Sequence, residues 1–473
     1  MDLERYRDLI PDWEAFLACV RSREPSCLRL RSRRALPALA RQRLEELGFE
    51  LSPVPGLPDF FRVERGPYSP SKTLEHWLGW FYIQESVMGL PPLALDPKPG
   101  ERVLDLCAAP GGKTSHLADL MCGGGTVVAV EPSRDRLKKL VGNLYRLGLA
   151  EVLVVAADGR TFPRGATFDR VMVDVPCSAQ GTLRRKGGKL PTRPPEFAAY
   201  ITRVQEALLR RAAELVRPGG TIVYATCTFD PEENEAVVSR VLQDLPLEVE
   251  SIDLPLPHEP GVTEFGNQKF DPRLRRAWRV YPHHLDSGGL FMVRLKRIGE
   301  SDGPCSGWEL CETEHSSSWP AEAAEALRRR FGVGEDWLAG LRWWRTGKTL
   351  WAHRCRALPL DAWSESSGWQ FVSLGLPAFR ATGLRRPTNV FLRFLGPHVK
   401  AARADLTRAE LASLLSGGSL TTDLSHGDAA LALDGWVVGR GRATAGGLRA
   451  ELDRKSAAEL KAILSLLSDA PAA

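Results

Sequence analysis

The feature that most restricts this chain is an alternation between residues 101 and 297. The runs RVLDL, TVVAV, EVLVVAA, DRVMV and TIVYA place apolar residues consecutively rather than alternately, which leaves no face suited to water. Strands of that kind are buried on both faces, and helices between them point to a parallel α/β sheet. The intervening stretches are helical in pattern. SRDRLKKLVGNLYRLG sets Leu137, Leu140, Val141, Leu144 and Leu147 on one face, and EALLRRAAELVRPGG stops at Pro218-Gly219-Gly220. LEVESID and GLFMVRLKR bring the sheet to about seven strands. After YATCTF, Asp230 is placed to cap a helix, with Pro231 at its first position and Glu233 three residues past the cap.

A chain of 473 residues is long for one domain. Residues 1–97 read as a small α/β module: CLRLR is strand-like, ALPALARQRLEELG is helical, and GLPDFFRVERGPYSP is rich in turn residues. Residues 98–297 hold the sheet. Residues 298–320 are polar and aperiodic, a linker. An α+β domain over 321–395 and a last module over 396–473 follow, with LALDGWVVGRGRA a hairpin turning at Asp434-Gly435. No basic stretch precedes an apolar leader, and no apolar run is long enough to cross a bilayer. With nine scattered cysteines, the expectation is a cytoplasmic, monomeric protein with free thiols. Cys305, Cys311 and His315 match no standard zinc spacing, so no metal is expected.

Net charge is +5, which permits a polyanionic partner without requiring one. Its location says more. Arg29 to Arg43 carries six arginines and no acid, Arg184 to Arg193 five basic residues, and Gln370 to Ala404 six. Any one run reads as a solvated face; three together suggest distributed phosphate contacts. Eight of thirteen tryptophans fall between Trp308 and Trp369, a pattern that suits a packed core better than a base-stacking surface.

The loop DLCAAPGGKTS, residues 105–115, is built for close approach of a ligand. Small residues expose its backbone, and the helix that follows offers unpaired N–H groups at the carboxyl edge of the first strand. Gly112-Lys113-Thr114 matches the end of a nucleotide-phosphate loop. However, its first glycine would fall at Cys107, and Pro110 removes an N–H that a phosphate cradle uses. S-adenosylmethionine fits better. Glu131, Asp158 and Asp174 close three successive strands and offer acceptors for ribose hydroxyls, an adenine amino group and the methionine end.

Cys177 and Cys227 sit in polar loops past the fourth and fifth strands, where packing gives no reason for a thiol. A thiolate that adds to carbon 6 of cytosine makes carbon 5 nucleophilic enough to take a methyl group. The residues alone do not rank the two sulfurs.

DLCAAPGGKTSHLA, DVPCSAQGTLRR and YATCTFDPEENEAVV together resemble the three signature motifs of the NOL1/NOP2/Sun family of RNA 5-methylcytosine methyltransferases, over about residues 20–297. The resemblance implies a class I S-adenosylmethionine-dependent methyltransferase, Rossmann-like with a seven-stranded, mostly parallel sheet. It further implies an amino-terminal RNA-binding module and carboxy-terminal modules, the last similar to PUA domains. It makes Cys227 the nucleophile and Cys177 the residue that helps release product, with Asp174 contacting the base. Cofactor contacts would come from Cys107, Ala108, Ala109, Pro110, Gly111, Gly112, Lys113, Glu131, Arg136, Asp158 and Asp174. Arg184, Arg185, Lys186 and Lys189 would hold RNA phosphates around an unstacked base. The expected substrate is 16S ribosomal RNA, with transfer RNA as the alternative. Two readings of other classes remain: a P-loop-like nucleotide hydrolase, and a non-catalytic RNA-binding assembly factor. Two positions depart from the family pattern. Ala179 stands where Ser-Gly-x-Gly is usual, and Arg31 stands where Asn is expected, which puts an RNA contact there in doubt.

Overall fold

The computed structural model describes residues 3–31, 33, 37–164, 166–189, 194, 196–299, 309–310, 319–355, 357–358, 370–380 and 386–468. Helix α1 (Trp13–Arg21) precedes an antiparallel sheet. Strand β1 (Ser26–Leu30), helix α2 (Pro37–Glu46), β2 (Glu50–Val54), β3 (Leu57–Arg65), α3 (Leu74–Trp77) and β4 (Phe81–Ile83) follow, in sheet order β2-β3-β1-β4. The stretch GLPDFFRVER is therefore a strand where turns were expected. It pairs with β1 on one side and β2 on the other, which satisfies its backbone at both edges. The turn character survives at Gly56, with φ +77° at the β2–β3 junction, and in the GPYSP end, which bends away after β3.

Helix α4 (Leu90–Leu95) leads into the large sheet. The chain then runs β5 (Arg102–Asp105), α5 (Gly112–Leu120), β6 (Thr126–Val130), α6 (Arg134–Leu147), β7 (Val152–Ala156), β8 (Phe168–Asp174), α7 (Phe197–Leu215), β9 (Val216–Thr226) and α8 (Glu235–Asp244). The order β7-β6-β5-β8-β9 is parallel throughout. Leu290–Arg297 pairs antiparallel with β9, and Leu247–Glu250 and Trp278–Val280 pair antiparallel with it in turn. Those are the seven expected strands plus Trp278–Val280. Glu259–Pro260 and Gln370–Leu374 complete a sheet of ten, the latter reaching back from the 321–395 segment to pair with β7.

Alternate residues face opposite layers, as a pleated strand requires. Val128, Val130, Val171 and Val173 pack with Leu208, Leu209, Val237 and Val241 of α7 and α8. Val103, Val127 and Met172 pack with Leu90, Leu117 and Leu140 of α4, α5 and α6. Each fully buried side chain of this size contributes about 1.5–3 kcal/mol. The uninterrupted apolar runs are explained by these two covered faces. The strand order reverses at β5, so a crevice opens where β5 and its neighbours end.

The Asp434-Gly435 hairpin is present, with φ +49° and +80° at the turn, joining Gly427–Leu433 to Trp436–Thr444. That sheet does not stand alone. Leu411, Leu431 and Leu460 share a hydrophobic core with Leu28, Trp80 and Phe81. Trp77 Nε1 donates to the Val438 carbonyl at 3.3 Å, and Arg43 bridges Glu75 and Asp434. Trp337, Trp343, Trp344 and Trp351 are half-buried against the cores, as packing residues. The side chains of Trp308, Trp319, Trp363 and Trp369 lie outside the described residues, as do Cys305, Cys311, His315 and most of the expected linker. Among the described residues no helix is long and apolar enough to cross a membrane, no side-chain cluster is arranged to hold a metal, and every cysteine is free.

In the run from Arg29 to Arg43, the guanidiniums of Arg29, Arg31 and Arg33 are turned to carboxylates of the protein rather than to a phosphate. Arg29 and Arg31 are 1% and 2% exposed. Both bind the Asp119 carboxylate, and Arg31 also donates to the carbonyls of Gly79 and Leu147. Arg33 pairs with buried Glu151. These guanidiniums fasten β1 and the turn after it to α5 and β7. The doubt about an RNA contact at Arg31 has a physical basis, since its donors are engaged inside the protein.

Candidate active site

A cleft of about 580 Å³ opens at the carboxyl ends of β5, β6, β7, β8 and β9. Of the expected cofactor residues, Cys107, Ala108, Ala109, Pro110, Gly112, Lys113, Glu131, Arg136, Asp158 and Asp174 all line it, and so do Cys177, Cys227 and Arg185. Gly111 does not. It turns the chain into α5 with φ +107°, and a Cβ there would stand 3.1 Å from Leu140 Cδ1.

Beneath the loop lies a residue with no expected role. Asp105, at the end of β5, accepts from Thr114 Oγ1 at 2.7 Å and from the Cys107 N–H at 3.3 Å, which ties the loop to the helix that follows. Burial pushes its carboxyl up to about 6. Lys113 Nζ donates to Asp174 Oδ2 at 2.8 Å. Burial alone would lower that ammonium, but the adjacent carboxylate outweighs it and raises its pKa. Both side chains that a phosphate loop keeps for nucleotide and magnesium are thus engaged within the protein. The P-loop reading loses its two matching residues.

The three strand-end carboxylates differ. Glu131 is 1% exposed. Its Oε1 accepts from the Ser133 N–H at 3.0 Å. Its Oε2 accepts no hydrogen bond, although Arg136 Nη1 lies 3.3 Å away at ion-pair distance. A buried acceptor without a donor is the kind of atom a hydroxyl-bearing ligand completes. Arg136 also donates to the Ala109 carbonyl, holding the loop against α6. Asp158 is occupied: Arg160 donates to both of its oxygens through Nε and Nη2, and through its backbone N–H to Oδ1. An adenine amino group reaches this carboxylate only by displacing Arg160.

The two thiols meet at the other side of the cleft, Sγ to Sγ 3.4 Å. The contact with Cys227, together with burial, pushes the Cys177 thiol well above its ordinary range. At that separation either sulfur can donate to the other. Neither sulfur is lost in the hydrophobic interior, and both face the cleft beside the 107–113 loop.

What holds the thiols together is the dipeptide Glu233-Asn234. Glu233 Oε2 accepts from the Ser178 N–H at 3.0 Å and from Gln205 Nε2 at 2.8 Å, and Gln205 Nε2 also donates to the Pro176 carbonyl. Asn234 Oδ1 accepts from Thr226 Oγ1 at 2.6 Å, and its Nδ2 donates to the Thr228 carbonyl at 3.0 Å. Residues on both sides of each cysteine thus converge on one turn. The helix expected from Asp230 is corrected here. Asp230 caps only a turn, accepting from the Glu232 N–H, and α8 begins at Glu235. Glu233 does not reach back to Asp230, because its carboxylate is drawn to Ser178 and Gln205. The acidic PEENE run was the visible signal; its partners lie 28 and 55 residues away.

Arg184 is also corrected as an RNA contact. It is 5% exposed and donates to the carbonyls of Ser22, Arg23 and Ser287, to Ser22 Oγ and to Asp286. Arg185 is exposed at the cleft and pairs with Glu85 at 2.5 Å. Lys186 and Lys189 are exposed beyond the cleft lining. Ala179 sits in the left-handed region with φ +59°, which explains why glycine is usual at that position.

Comparison with known proteins gives this geometry its relatives. The family model described as 16S rRNA methyltransferase RsmB/F matches residues 92–296. A tRNA (cytosine(49)-C(5))-methyltransferase of Pyrococcus abyssi is 36% identical over 256 residues, 54% of this chain and 82% of the relative. Ribosomal RNA small subunit methyltransferase F of Klebsiella pneumoniae is 34% identical over 313 residues, so the chain spans 64% of that relative's length. A crystal structure of a methyltransferase homolog from Pyrococcus horikoshii aligns with a TM-score of 0.55 at 31% identity, covering 61% of this chain and 91% of that one.

Proposed function

Because this chain belongs to the NOL1/NOP2/Sun family of RNA 5-methylcytosine methyltransferases, with their class I methyltransferase fold, we propose that its substrate is a cytosine in structured RNA of the small ribosomal subunit, modified through a covalent bond from Cys227 to carbon 6. The observation that carries the mechanism is the 3.4 Å approach of two thiols in the cleft that also holds the 107–113 loop and Glu131.

The residues fit S-adenosylmethionine. The unpartnered Oε2 of Glu131 suits a ribose hydroxyl, the loop from Cys107 to Lys113 leaves room for a backbone approach, and Asp158 becomes available once Arg160 swings aside. When bound, the cofactor supplies an electrophilic methyl group. Cys227, as thiolate, forms a bond to carbon 6 and moves the ring's π electrons toward carbon 5, which takes the methyl group with that pair. Loss of the carbon-5 proton restores the ring double bond, and the electrons of the carbon–sulfur bond return to Cys227. Cys177 assists this release from its position beside the leaving sulfur. Asp174, held by Lys113, contacts the base.

The supporting test uses RNA from a strain lacking the protein, probed by bisulfite sequencing before and after treatment with the purified protein and S-adenosylmethionine. One or more unmethylated cytosines in small-subunit RNA should become methylated. A Cys227→Ser variant should restore none of them, and Cys177→Ala should accumulate an RNA adduct stable to denaturing electrophoresis. Methylation appearing in transfer RNA instead would overturn the ribosomal assignment. An adduct that persists in Cys227→Ser would overturn the nucleophile.

A further inference from the structure

A second cavity, of about 120 Å³, lies where the first module, the large sheet and both carboxy-terminal segments meet. It is far larger than the roughly 10–15 Å³ that holds one water. Arg31, Arg33, Arg354 and Arg393 line it, and no Asp or Glu does. Two of these guanidiniums are committed, Arg31 to Asp119 and Arg33 to Glu151. The other two are not. Among the described residues, neither Arg354 nor Arg393 has a carboxylate at ion-pair distance. Arg354 lies over two rings, Trp337 and Phe394 both centred 5.4 Å from it, and Glu151 attracts it from beyond ion-pair distance. Arg393 makes one hydrogen bond, to the Trp77 carbonyl at 3.3 Å, and stands over the Trp77 ring at 4.7 Å.

Such an arrangement is costly as pure scaffolding. Burial depresses the guanidinium pKa of both residues, that of Arg393 to about 10. The arginines used as fasteners in this protein differ in having partners for their donors: Arg29, Arg31 and Arg279 each bind a buried carboxylate. A planar donor fork held on aromatic faces, with at most one carbonyl and no carboxylate in direct contact, is organised for an anion that arrives from outside. The flanking walls are indoles, Trp337 and Trp436, which accept a sugar or a base edge beside the charge.

We propose that this cavity is a phosphate subsite, remote from the thiols in sequence and in cavity, which receives a phosphodiester of the RNA through Arg354 and Arg393. The assignment of RNA as the source rests on the function proposed above; the phosphate chemistry rests on the cavity alone. A flanking segment of the substrate is thereby gripped where the first module, the large sheet and the carboxy-terminal segments converge.

The test measures binding of a fluorescein-labelled small-subunit rRNA hairpin by the full-length protein over a series of potassium chloride concentrations. Arg354→Gln should weaken binding about ten-fold and make the salt slope shallower by roughly 0.7–1, the loss of one phosphate contact. Arg354→Lys should recover most of the slope, because the charge is kept. Arg393→Gln reads the opposite wall independently, should one variant fold poorly. Affinity and slope equal to wild type in folded variants of both positions would overturn the site. Thermal stabilisation by sodium pyrophosphate that is lost in Arg354→Gln, with RNA affinity unchanged, would overturn RNA as the source and assign a free phosphate ligand. A wild-type protein that binds RNA with this slope yet methylates none would sink the proposed function and leave the subsite standing.

Discussion

Replacing Glu233 should slow the reaction without touching either reactant. The carboxylate is 4% exposed and accepts from two buried donors, the Ser178 N–H and Gln205 Nε2. Glu233→Ala leaves the Ser178 N–H unmet and Gln205 Nε2 with only the Pro176 carbonyl, and hydrogen bonds to a charged group are worth about 1.5–3 kcal/mol each. A local loss of about 3 kcal/mol is enough to release the 176–178 loop from the turn that also carries Thr226 and Thr228. The sulfurs would then lose their 3.4 Å register. A displacement near 1 Å costs about 10²-fold in rate. Glu233→Gln keeps one acceptor oxygen while losing the charge and the second acceptor, so a drop of about ten-fold is expected. Single-turnover methylation with radiolabelled cofactor measures both, and the Michaelis constants for RNA and cofactor should stay within a factor of two. A Glu233→Ala enzyme with wild-type single-turnover rate and a native circular dichroism spectrum would refute the claim that this side chain sets the thiol geometry.

Three further outcomes are expected of the same fold. Ala179→Gly relieves a left-handed backbone and should raise stability by about 1 kcal/mol, read as a higher urea midpoint; an unchanged or lower midpoint contradicts the strain. Charge reversal of Lys186 and Lys189 should raise the Michaelis constant for RNA and flatten its salt dependence with cofactor affinity intact, whereas Arg184→Ala should lower the melting temperature instead. Asp105 titrates near 6 in the fold against 3.8 unfolded, so its contribution to stability declines as pH rises through that window. Melts of Asp105→Asn should therefore gain on wild type from pH 4 to 6 and gain no more above it.

Much of the catalytic half was legible because its signals are local. Five apolar runs had to be strands covered on both faces, and the small residues of the 107–113 loop had to admit a ligand. Cys177 and Cys227 stood out because a thiol in a polar loop has nothing to pack. What escaped depends on partners distant in sequence. Leu57–Arg65 looks like turns until β1 and β2 supply its neighbours. Gln370–Leu374 joins the large sheet only through β7. Glu233 reads as a helix signal until Ser178 and Gln205 are seen beside it. The arginines misled most, since a run of positive charge looks the same whether its counter-charges are phosphates or, as for Arg29, Arg31 and Arg33, carboxylates over 80 positions away.

The interior shared by Trp80 and Leu431 sets a timetable for the newborn chain. Trp77 and its partner Val438 are separated by 361 positions. At about 5–20 residues per second a ribosome needs roughly 20–70 s to cover that distance. Throughout that interval the early sheet stays without its cover, its tryptophans open to chaperones or to a neighbouring nascent chain. Stalling synthesis near position 400 should leave Trp80 reactive to oxidants, and release of the finished chain should protect it.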